Sequence, residues 1–109
     1  MSSTTINLAP LSVNKAWQGR RFRTKEYKDW TETGLWLLKK HKKYTGIVGV
    51  DIIFYMKNYK LADIDNPLKA FFDLIVKAGL IEDDRYIEEM TVRKEKSKVN
   101  QISFEIYKI

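Results

Sequence analysis

Residues 47–56 place the tightest constraint on the fold. Val48, Val50, Ile52 and Phe54 share one parity, and Ile47, Ile53 and Tyr55 share the other with Gly49 and Asp51. Successive side chains of a β-strand point to opposite faces, so this segment is apolar on one face and partly apolar on the other. A strand of that kind belongs in the interior of its sheet. The next segment changes period. Leu68, Phe71, Phe72, Ile75 and Val76 fall on one side of a helix, while Lys69, Asp73 and Lys77 recur at i, i+4, i+8 on a polar face. Asp65 is placed to cap this helix, and Pro67 falls in its first turn, where a missing N–H costs little. Gly79 suits the position just past its end.

The rest of the chain arranges itself around this pair. Thr4, Thr5, Ile6, Asn7 and Leu8 read as a short strand ended by Pro10. Residues 11–23 read as a loop, with Ser12, Asn14 and Gly19 and few apolar side chains. Thr24 is placed to cap a helix that runs to residue 41 or 43, with Tyr27, Trp30, Gly34, Leu37 and Leu38 in one stripe and Trp36 off it. Gly34 weakens that helix by roughly 1 kcal/mol relative to alanine. Residues 86–94 have strand character, residues 97–100 form a turn, and Ile102, Phe104 and Ile106 alternate in a final strand. The expected order is β-α-β-α-β-β, an α/β (α+β) fold with a mixed sheet and two main helices. The 109 residues fit one domain spanning 1–109, small enough that a dimer partner would help to bury surface.

Composition narrows the classes of function. Hydrophobic residues at 44% and aromatics at 13% supply a core and argue against disorder. With no cysteine, disulfides and thiolate metal sites are excluded. The first ten residues lack a charged leader and a long apolar run, and no stretch approaches the roughly 20 apolar residues of a bilayer span. A cytoplasmic protein without a membrane partner is expected. The formal charge of +6 is unevenly spread. Residues 1–43 carry ten Lys and Arg against three acids, whereas residues 61–90 carry eight acids against three bases. A basic half suits a polyanion such as DNA. An acidic cluster repels phosphate, and a divalent metal would remove the conflict. Ordinary surface charge on a basic protein is the plainer reading.

Three features can carry chemistry. In Asp63-Ile64-Asp65-Asn66, carboxylates two apart in an extended segment share a face, and two hard oxygen donors at a helix entrance suit Mg²⁺. Alternatively, Asp65 only caps the helix and Asp63 only pairs with a lysine. Asp83-Asp84 sits among Glu82, Glu88 and Glu89, where repulsion favours a counterion. Lys69 lies one helical turn after Asp65, where an ammonium can stabilise charge developing on a phosphate, or merely form a surface ion pair. Carboxylates, a lysine and a basic arm together are what metal-assisted phosphodiester hydrolysis requires. Lys39, Lys40, Lys42 and Lys43 admit two readings, a grip on DNA or a complement to the helix dipole. Trp17 either packs in the core or touches DNA. His41, the one histidine, is expected to be solvated or to face the dipole.

The run Asp63-Ile64-Asp65-Asn66-Pro67-Leu68-Lys69-Ala70, then Phe72-Asp73, Gly79 and Asp83-Asp84, resembles the central motif of the RusA family of Holliday junction resolvases. Asn14 and the run from Gly19-Arg20-Arg21-Phe22-Arg23 to Thr24-Lys25-Glu26-Tyr27 also look like its N-terminal region, so the resemblance covers most of the chain. It implies that Asp63, Asp65 and Asp84 are the essential, metal-holding acids and Lys69 the essential lysine. Asp83 and Asn66 match supporting positions. It further implies a homodimer that nicks two strands of a four-way junction symmetrically with Mg²⁺ or Mn²⁺, and no small-molecule cofactor. Phage or prophage origin in a bacterial host is frequent in the family, whose work lies in DNA recombination and repair. Ala62 departs from relatives with an aromatic residue before the first Asp. Candidate phosphate contacts are Arg20, Arg21, Arg23 and Lys25, with Lys15, and with Asn14 ordering the loop or touching DNA. Two rivals remain: a non-catalytic basic nucleic-acid-binding module, and a nuclease of different DNA specificity.

Overall fold

The computed structural model describes residues 3–11, 17–18, 22–23, 25–57 and 64–109, with the backbone alone at residues 17, 18, 22, 23, 65 and 66. Among the described residues, six strands and two helices follow one another: β1 (Thr4–Ile6), β2 (Trp17–Gln18), β3 (Phe22–Arg23), α1 (Lys25–Leu37), β4 (Val48–Met56), α2 (Asp65–Lys77), β5 (Ile87–Lys96) and β6 (Gln101–Lys108). A 3₁₀ turn, Asp84–Tyr86, precedes β5. The main sheet has the order β1-β6-β4-β5. Its β4 pairs parallel with β5 and antiparallel with β6, so the sheet is mixed and the fold is α+β. The strand apolar on both parities is therefore interior, as its pattern requires.

One face of the sheet carries the core. Val48, Val50, Ile52 and Phe54 of β4 and Ile102, Phe104 and Ile106 of β6 are buried there with residues of both helices. Phe71 of α2 meets Phe54 and Phe104 edge-on, at ring separations of 6.4 and 5.1 Å. The opposite face is polar at Asp51 and half-buried at Ile53 and Tyr55. There Tyr107 donates to Glu89 at 2.8 Å, and that hydrogen bond pushes the phenol up to about 12.

Several local expectations are corrected. The segment read as a loop over 11–23 contains two short antiparallel strands, β2 paired with β3 through Trp17↔Arg23 and Gln18↔Phe22. Two-residue strands are too short to show alternation. Strand β1 stops at Ile6 rather than Leu8, and α1 stops at Leu37. Beyond Leu37 the backbone tightens into i+3 bonds, Lys39 N–H to Trp36 O and His41 N–H to Leu38 O. Leu37 is 39% exposed and Thr31 only 6%. At 3.6 residues per turn, Leu37 falls about 75° from the mean direction of the buried residues Tyr27, Trp30, Thr31, Gly34 and Leu38, and Thr31 about 45°. The cap of α2 is Ile64, with no side-chain hydrogen bond, and Asp65 is the first helical residue. Ile64 packs against the core, and that contact sets where the helix begins.

At Gly34 the two helices pack closely. A Cβ there would lie 2.6 Å from Leu74 Cδ2, 2.9 Å from its Cδ1 and 3.2 Å from Leu8 Cδ2. Gly34→Ala would recover roughly 1 kcal/mol of helix propensity. Overpacking costs about 1–3 kcal/mol, more so here because Leu74 is itself buried. The expected net result is destabilisation, a Tm lowered by roughly 5 °C or more. A variant melting at or above the parent would show that the helices part freely.

Candidate active site

The acidic turn is positioned by the end of α2. Gly79 takes φ +79°, the left-handed conformation, and two backbone bonds close the helix: Gly79 N–H to Val76 O and Leu80 N–H to Ile75 O. Both orphan carbonyls are satisfied by this reversal. Leu80 and Ile81 then plug into the core. Glu82 Oε1 accepts the Gly46 N–H at 2.6 Å. Asp83 is extended, accepts the Arg85 N–H at 3.1 Å and thereby caps the turn that holds Asp84.

These bonds deliver two carboxylates to an open cleft of about 330 Å³ lined by Tyr27, Asp73, Val76, Lys77, Asp83 and Asp84. The Arg85 N–H and a hydrogen bond from Asp84 hold Asp83 below the usual carboxylate range. Asp84 is pushed up, first by that shared hydrogen bond, then by desolvation and by the charges of Asp83 and Asp73. The two shift in opposite directions because each acts on the other. Their linkage to stability has opposite signs. The Asp83 contribution is present above its unfolded pKa and lost as pH falls through its lowered folded value. That of Asp84 is present below its unfolded pKa and lost as pH rises through its raised value. The adjacent carboxylates of Asp83 and Asp84, with Asp73 lining the same cleft, offer hard oxygen donors of the kind a divalent cation takes. No group of three or more Asp, Glu or His residues placed to hold a metal occurs among the described residues.

The sequence candidates distribute as follows. Asp83 and Asp84 lie together at the cleft. Lys69 is exposed on α2, one turn before Asp73. Asp65 and Asn66 open α2, and Asp65 precedes Asp73 by eight residues, about 12 Å along the helix. Asp63, Asn14, Lys15, Arg20 and Arg21 lie outside the described residues, as does Thr24, and Arg23 is described only as backbone in β3. Lys25 is exposed, with its Nζ 3.0 Å from Asp29 Oδ2. Such an exposed i,i+4 pair contributes only about 0.3–0.5 kcal/mol, so Lys25 can exchange it for a phosphate.

Two residues were missed. Asp73 and Tyr27 line the cleft, and the i+8 spacing of Asp73 from Asp65 was the available signal for the former. His41 also departs from expectation. Its ring lies 5.1 Å from Phe104, with Nδ1 2.8 Å from Lys42 O and Nε2 3.1 Å from Thr4 Oγ1. A carbonyl only accepts, so Nδ1 carries the proton that Lys42 O receives.

The structure thus defines a small α+β protein with a paired-carboxylate cleft at one end of a sheet. The family described as Endodeoxyribonuclease RusA matches residues 12–107, and the chain belongs to that family. It is similar to the crossover junction endodeoxyribonuclease RusA of Aquifex aeolicus (strain VF5). The two are 36% identical over 85 residues, covering 73% of this chain and 68% of the relative. No helix among the described residues is long and apolar enough to cross a membrane.

Proposed function

We propose that this protein is a divalent-metal-dependent endonuclease that resolves four-way DNA junctions by paired, symmetric nicks as a homodimer. The reading is carried by one observation above the family membership: the Asp83–Asp84 pair lies in a cleft with Asp73, on the helix that begins with Asp65. Asp63, Asp65 and Asp84 hold the ion. When bound, Mg²⁺ or Mn²⁺ supplies an activated water and neutralises the scissile phosphate. Lys69 offsets charge that develops on the phosphate oxygens. Asp83 orients the turn that carries Asp84, and Asn66 supports the helix entrance. Arg20, Arg21, Arg23, Lys15 and Lys25 hold the DNA backbone.

Because Asp84 sits at the level of Asp73, it is distant along α2 from the Asp65 of its own chain. We therefore assign each site to two protomers: Asp63 and Asp65 from one, Asp84 from the other.

The direct test offers the purified protein a four-way junction and its separate linear arms, with and without Mg²⁺. Symmetric cutting of the junction alone, only with metal, is expected. Equal cutting of the linear arms would indicate a nuclease of another specificity. Junction binding without metal-dependent cutting would indicate a binding module.

Metal should also act on stability. An ion bound only to the native state stabilises it by about 2.7 kcal/mol at a hundredfold excess over Kd. Tm should therefore rise with Mg²⁺. Asp84→Asn, which removes the repelled charge, should melt no lower than the parent without metal, lose the Mg²⁺-dependent rise, and not cut. A parental melt insensitive to Mg²⁺ at concentrations that support cleavage would contradict the ligand assignment.

A further inference from the structure

We propose that the turn between α1 and β4 is a second DNA-contact surface, in which Lys39, Lys40, Lys42 and Lys43 grip backbone phosphates beside the acidic cleft. The inference rests on the nuclease reading above and adds a surface to it. Residues 33–50 contain these four lysines and no acid. All four are exposed. Lys39 lies over the Trp36 ring at 5.4 Å and Lys42 over Tyr44 at 5.1 Å. None of the four makes an ion pair with a carboxylate among the described residues.

The turn is fixed from several sides. Leu38 is buried, His41 is held by Thr4 and Phe104, Tyr44 N–H bonds Leu80 O at 2.7 Å, Gly46 N–H bonds Glu82, and Lys108 Nζ donates to Thr45 O. A held turn presents its charges with little ordering cost on binding. The helix dipole does not account for the cluster. Its influence fades within the last turn, and α1 ends at Leu37, five and six residues before Lys42 and Lys43.

Position supplies the function. The bonds from Tyr44 to Leu80 and from Gly46 to Glu82 stitch the turn to the segment that carries Asp83 and Asp84. From Glu82 to Asp84 the chain spans at most about 7 Å. Lys43 Nζ also lies 3.9 Å from where a Cβ on Gly79 would stand, at the helix end that leads into the acidic turn. The lysines hold the DNA arm in register with the cut.

The test measures junction binding without cleavage, in EDTA, across a salt series. The variant is Lys40→Gln/Lys42→Gln/Lys43→Gln, which keeps most of each side-chain stem. The control is Lys96→Gln/Lys98→Gln, near the β5–β6 turn at the opposite end of the sheet. Each duplex phosphate contact contributes about 0.9 to the slope of log affinity against log salt. The triple variant should therefore be shallower by about 2.7. Between 50 and 200 mM salt the parent should lose roughly 40-fold more affinity than the variant does. The control should match the parent, and all three should melt alike. A parental slope in the triple variant, or an equal loss in the control, would overturn the assignment. A parent that does not bind the junction at all would strike the nuclease reading, and this one with it.

Discussion

Asp63→Asn should abolish cutting while leaving junction binding intact. The substitution is nearly isosteric, so its effect is electrostatic. It removes one negative donor from a set that must outcompete water for a hard cation. Losing one preorganised charge at a reacting phosphate costs about a hundredfold or more. The basic elements are untouched, and one fewer negative charge faces the phosphates, so affinity measured without metal should equal or exceed the parent's. The checks are a nicking assay in Mg²⁺ and a binding titration in EDTA on the same preparation. Parental cutting would remove Asp63 from the ligand set. Loss of both activities together would assign it to the fold instead.

Mixed dimers should recover what neither parent has. Protomers carrying Asp63→Asn and Asp84→Asn are co-unfolded, refolded and purified through two different tags, which guarantees that the dimers tested are mixed. Where Asp63 and Asp84 of different chains meet, one site receives both defects and the other receives none. Nicking of a single strand then returns. Where one chain supplies the whole set, every site keeps a defect and the mixture stays dead. The expectation of recovery follows from α2. Asp84 is held among Asp73, Val76 and Lys77, while Asp65 opens the helix about 12 Å away. Metal–oxygen bonds are only about 2.0–2.6 Å. A dead mixture of doubly tagged dimers would refute the shared site.

The elements readable in the sequence were those whose signal is local and repeated. The two-parity pattern of residues 47–56 placed β4 inside the sheet, because alternation is counted over nine strand residues. Gly79 marked the end of α2 because few other residues adopt its backbone angle without strain. What escaped depended on partners distant in sequence. His41 looked solvent-bound among lysines, but Thr4 and Phe104 hold it. Ile64 outranks Asp65 as cap because packing against the core, not capping chemistry, sets the helix start. Asp73 looked like one more residue of a polar face until the chain beyond Gly79 brought Asp84 back beside it. Of the candidate site, the adjacency of Asp83 and Asp84 was legible, but their grouping with Asp73 in one cleft was not.

Helix α2 has a further consequence, as a gauge. It is a thirteen-residue rod running between the entrance at Asp65 and the turn at Asp84. In a two-fold dimer with shared sites, its length enters the separation between the two cutting centres. That separation fixes how far apart the two nicks fall around the branch point. Inserting one residue would rotate one end by 100° and advance it 1.5 Å, leaving neither centre assembled. Inserting seven would restore the facing within about 20° and move the ends apart by about 10 Å. In such a dimer nick spacing would be a helical quantity, changeable only in steps of whole turns.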